Sequence, residues 1–120
     1  MTEYTRYRAQ LGFEKFPEYI KYLKSLYPTK DLHHILGSVT AKKFTDALLV
    51  PVEHELHLCV VERNKALYFE KYLKSAFHYF YHWAKERFSL SDEYEKYREN
   101  LEPESIKEFI KIIYAYSQTK

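Results

Sequence analysis

The sequence predicts a mainly α-helical single domain with one small β-hairpin embedded among its helices. Three observations carry this. Apolar residues recur at helical spacing in 13–27 and again in 65–88; two short apolar runs, "LHHIL" and "ALLVPV", stand between those segments, separated by Gly37 and a polar stretch. A chain of 120 residues that is 46% hydrophobic and 18% aromatic can also bury one substantial core, though not two.

Each element has its own local reason. In "FEKFPEYIKYLKSLY", Phe16, Ile20, Leu23 and Tyr27 fall at helical spacing, Pro17 fits a first turn, and Pro28 biases Tyr27 out of helical angles. The two apolar runs read as strands of a hairpin whose long loop holds Lys42, Lys43 and Asp46. Because Pro is favoured at helix starts, "VEHELHLCVV" after Pro51 predicts a helix with Val52, Leu56 and Cys59 or Val60 on one side. Asn64 is a good N-cap for "KALYFEKYLKSAFHYFYHWAKERF", in which Leu67, Tyr72 or Leu73, Ala76, Phe80 and Trp83 form a stripe. Ser91 caps a short helix over "DEYEKYRENL", and Pro103 opens a last one, "ESIKEFIKIIYAY". The whole of 1–120 is expected to be one domain: an N-terminal helical extension over 1–28, the hairpin and its helix over 32–60, and C-terminal helices over 64–120.

Composition narrows the function. Nineteen Lys and Arg against 17 Asp and Glu leave a net charge of +2, which is no polybasic footprint. The single cysteine, Cys59, excludes an internal disulfide framework and a cysteine-built zinc site, and its apolar neighbours predict a small buried hydrophobe. No apolar run reaches membrane-spanning length and "MTEYTRYRAQ" holds no signal-peptide core, so a cytoplasmic address without membrane partners is expected.

Histidine is the residue type placed unevenly: four of six lie in residues 32–57. His33 and His34 are adjacent on a predicted strand, so they point to opposite faces unless the strand twists or ends there, as Gly37 permits. His54 and His57 are three apart on a predicted helix, a spacing that lets two imidazoles converge on a metal. His78 and His82 have i, i+4 spacing without the Glu of a metalloprotease motif, and packing roles are expected for them.

The string His33-His34-Ile35-Leu36-Gly37, then Lys43-x-x-Asp46, then an apolar run into Pro51 and a helix bearing His57, resembles the ββα-metal finger of HNH (His-Me finger) nucleases. The pattern is nearest to the phage-borne branch that includes the Ref-type RecA-dependent nuclease, and it covers about residues 32–73. The resemblance implies a divalent-metal-dependent endonuclease or nickase acting on DNA, with Mg²⁺ or Mn²⁺ as the metal and Ni²⁺ or Zn²⁺ as alternatives. It implies His34 as the general base, Asp46 as the residue that orients it, and His33 and His57 as metal ligands. His54 is a further candidate ligand without a fixed counterpart, and Lys42, Lys43, Arg63 and Lys65 are candidate DNA contacts. That chemistry needs a base titrating near neutrality, as imidazole does, and a cation to offset charge on the leaving oxygen. Where the family carries a Cys before the helix-borne His, this chain has Glu53 and His54, so the finger is expected to be braced by flanking helices. A finger that binds nucleic acid or a protein partner without cutting and a helical protein with a structural metal are the other readings; a protein partner or a homo-oligomer is compatible with each.

Overall fold

The computed structural model describes residues 3–37, 44–61 and 63–119. In chain order these form α1 (Glu3–Gln10), α2 (Pro17–Leu26), β1 (Asp31–His34), β2 (Leu49–Val52) and α3 (His54–Leu56) running into a π-helical turn (His57–Val61). The 24-residue α4 (Lys65–Phe88), a 3₁₀ segment (Asp92–Tyr97) and α5 (Pro103–Gln118) follow. The mainly helical reading with one small antiparallel sheet therefore holds. Among the described residues no helix is long and apolar enough to cross a membrane.

The long α4 is the spine, and its buried residues, Phe69, Leu73, Ala76, Phe77, Phe80, Tyr81, Trp83 and Ala84, follow the i, i+3, i+4 repeat of one face. Leu67 does not join them: it is 64% exposed. Two residues before Phe69, it sits about 200° around the helix from the buried stripe. α5 lays Ile106, Phe109, Ile110 and Ile113 on the core, and Pro103 opens it as expected. α2 contributes Tyr19 and Leu23, with Phe16 just ahead of it, and Phe80 gathers these layers: its ring lies 5.0 Å from Phe16, 5.2 Å from Tyr19 and 6.0 Å from Phe109. α1, given no separate helix by the sequence pattern, packs Tyr7 on Phe69 with ring centroids 5.0 Å apart, and the Tyr7 hydroxyl donates to the Leu101 carbonyl.

The hairpin pairs Asp31 with Val52, Leu32 with Pro51, His33 with Val50 and His34 with Leu49. Pro51 is thus inside β2 and does not open the following helix, which begins at His54. A two-stranded sheet has only edge strands, where a missing N–H is tolerated. Gly37 is needed for a close approach: a Cβ there would stand 2.6 Å from the Phe44 ring. The predicted stripe of the next helix breaks at Leu56 and Cys59, while Val52 is buried in β2 and the Val60 side chain lies outside the described residues. Leu56 and Cys59 are exposed, and Val61 is the residue that reaches the core, because the turn from His57 is wound with one more residue per hydrogen-bonded ring than an α-helix. Asn64 and Ser91 occupy N-cap positions, but neither side chain makes a capping hydrogen bond.

Candidate metal and base site

Strand alternation divides the two adjacent histidines. His33 turns toward the helix side and is 1% exposed; its Nδ1 lies 3.1 Å from His57 Nε2. His34, at the last position of β1, goes elsewhere: its Nε2 lies 3.0 Å from Asp46 Oδ1.

The Asp46 carboxylate is assembled from sequence neighbours of α2 rather than of the hairpin. Its Oδ2 accepts the Phe16 backbone N–H at 2.9 Å, and its own N–H donates to the Glu14 carbonyl at 2.9 Å. Lys15 Nζ donates to the Phe44 carbonyl at 3.0 Å, so the segment before α2 and the segment before β2 are tied at three points. Burial works to raise the Asp46 pKa. It is outweighed by the hydrogen bonds from His34 and the Phe16 amide and by the nearby charges, so the carboxyl titrates below its ordinary value. An ionised carboxylate only accepts, which makes His34 Nε2 the donor. In neutral His34 the lone pair is then on Nδ1, an atom that is buried and has no hydrogen-bond partner among the described residues.

On the helix side a second carboxylate organises the remaining imidazoles. Asp31 Oδ2 stands 2.9 Å from His57 Nδ1 and 2.8 Å from His54 Nδ1. The hydrogen bond from His57 chiefly holds the Asp31 carboxyl below its ordinary pKa; burial opposes the shift and His54 adds to it. Both ring nitrogens therefore donate to it, and neutral His57 presents its Nε2 lone pair toward His33 Nδ1. The expectation that His54 and His57 share a face is met, and His54, whose side chain is 64% exposed, is linked to the His33–His57 pair through Asp31.

Two imidazole nitrogens bound to one cation at about 2.1 Å stand about 3.0–3.4 Å apart for octahedral or tetrahedral angles. The 3.1 Å between His33 Nδ1 and His57 Nε2 fits that spacing. Among the described residues, no set of three or more His, Cys, Asp or Glu meets the geometry of a metal cage.

The other candidates are dispersed. Arg63 is exposed in the turn before α4 and Lys65 is partly buried at its start, while Lys42 and Lys43 lie outside the described residues. His78 Nε2 donates to the Arg98 carbonyl at 3.2 Å and its ring packs 6.3 Å from His82, a helix-to-loop tie. Asp31 escaped the sequence reading, although its place two residues before His33 puts both on one face of a strand. The contribution of residues 14–16 had no such signal, since the partners are 30 residues apart in sequence. Compared with known proteins, the chain matches no family model, no curated protein and no solved structure.

Proposed function

We propose that this chain is a divalent-metal-dependent endonuclease or nickase of the HNH type, hydrolysing DNA phosphodiester bonds. The observation that carries the reading is the joint placement of two units on consecutive residues: a strand-to-helix imidazole pair 3.1 Å apart and a His34–Asp46 dyad at 3.0 Å. His33 Nδ1 and His57 Nε2 are the atoms that would hold the cation, and the cation would supply charge to the leaving oxygen. Asp46, anchored by the Phe16 amide, holds the His34 ring through Nε2. That leaves Nδ1 as the atom to take a proton from the attacking water, and the developing imidazolium is stabilised by the carboxylate behind it.

A second reading is favoured by one observation. His34 Nδ1 is buried, as suits a finger that binds nucleic acid or a protein partner without cutting. Incubating the purified protein with supercoiled plasmid and Mg²⁺, Mn²⁺ or Ni²⁺, beside His34→Ala and His57→Ala, separates the two. The nuclease reading expects nicked or linear product with the wild type and a loss of about 100-fold or more in each variant. A mobility shift without cleavage would establish the binding module instead, and equal cutting by all three proteins would end the assignment.

A further inference from the structure

Asp31 lies outside the motif, yet it sits at the junction of the strand and helix that carry the imidazole pair. It shares a face of β1 with His33, two residues on, and its backbone pairs with Val52, two residues before His54. One of its oxygens receives both helix-borne rings, His57 at 2.9 Å and His54 at 2.8 Å. The order of contact is therefore His54, Asp31, His57, His33, with the exposed ring at one end and the buried ring at the other.

We infer that Asp31 is a positioning residue: it fixes His57 with its proton on Nδ1, so that the Nε2 lone pair faces His33 and is the one a divalent cation would use. The inference rests on the reading of His33 and His57 as the metal-holding atoms. An imidazole offers a cation only the nitrogen that carries no proton, and a carboxylate on the opposite nitrogen decides which one that is. Without Asp31, neutral His57 could place its proton on Nε2, and that nitrogen would then have no lone pair to offer a cation. His54 takes a different part from the one its spacing with His57 suggested. Bound to the same oxygen, it limits the rotation of the Asp31 carboxylate from the solvent side, and it braces the positioning residue rather than ligating the ion.

Two measurements on the full chain test this, with Zn²⁺ alone as the probe. Long-range ¹H–¹⁵N NMR of the metal-free protein at pH 8 reads the His57 tautomer directly, and titration calorimetry reads Zn²⁺ affinity. The expected results are an Nδ1–H tautomer in the wild type and a loss of about 10- to 100-fold in affinity for Asp31→Ala. Asp31→Asn loses less, because an amide oxygen still accepts from Nδ1–H, and His54→Ala also loses less than Asp31→Ala. An Nε2–H tautomer in the metal-free wild type overturns the inference. So does an Asp31→Ala protein that keeps both tautomer and affinity, or a His54→Ala protein hurt more than Asp31→Ala. If the wild type takes up no Zn²⁺, or His33→Ala binds it equally well, the metal-pair reading fails on its own, while the tautomer still decides whether Asp31 orients His57.

Discussion

Replacing Asp46 by Ala should be among the more damaging single changes to this fold, and the size of the loss can be worked from the contacts. Asp46 is 5% exposed and its carboxylate accepts two hydrogen bonds, from the Phe16 amide at 2.9 Å and from His34 Nε2 at 3.0 Å. Hydrogen bonds to a charged group contribute about 1.5–3 kcal/mol each, and truncation leaves both donors without their acceptor. Set against the burial penalty that the carboxylate no longer incurs, the expected loss is about 3–5 kcal/mol at pH 7. Urea unfolding followed by circular dichroism measures it. A loss under about 0.5 kcal/mol, the range of an ordinary surface substitution, would refute the claim that this carboxylate joins α2 to the hairpin.

The same variant makes a prediction about pH. Folding lowers the Asp46 pKa, so below about pH 4 the unfolded chain takes up the proton first. The stability that the carboxylate contributes is complete above the unfolded value and is lost as pH falls through the lower folded one. The gap between wild type and Asp46→Ala should therefore be widest above about pH 5 and close as the solution is acidified. A gap that widens toward acid would mean that the carboxyl is protonated in the fold. A double-mutant cycle with His34→Ala isolates the dyad, with an expected coupling of about 1–2 kcal/mol.

Two further substitutions probe the surrounding structure. Tyr19 is fully buried, and its hydroxyl has no hydrogen-bond partner among the described residues, so Tyr19→Phe should raise stability by about 1 kcal/mol, read as a higher urea midpoint with unchanged slope. Gly37→Ala should lower stability by about 1–3 kcal/mol, since the new methyl meets the Phe44 ring at 2.6 Å and must displace it; thermal unfolding of the two proteins shows whether it does.

The parts of this molecule that were legible in the sequence are those governed by short-range spacing. The bounds of α4, the proline-led starts of α2 and α5, and the two hairpin strands all follow from periodicity and punctuation within about ten residues. Where the reading failed, the deciding partner was distant or the winding unusual. Pro51 signals a helix start equally well as an edge strand, and only pairing with Leu32 settles it. The exposure of Leu56 and Cys59 depends on the π-helical turn, which no apolar pattern announces. At the site, the proximity of His54 to His57 was readable from their spacing. The division of His33 from His34 was half readable, through strand alternation, and their separate carboxylates were not.

That division bears on how the hairpin and the turn after it hold their shape. Three bonds bind residues 14–16 to residues 44–46, and the buried residues of β2 lie in one core with α2 and α4. Asp46 therefore takes its position from the segment leading into α2, and His34 takes its orientation from Asp46. The imidazole pair, by contrast, is tied to Asp31 and to the helical turn after β2. The two units are joined at the backbone between His33 and His34. A disturbance of the α1–α2 loop should consequently reach the His34–Asp46 dyad before it reaches the His33–His57 pair, while a disturbance of Asp31 should do the reverse. The hairpin register links them, because a slip of one residue would turn His33 toward Asp46 and His34 toward the helix, exchanging the faces on which both units depend.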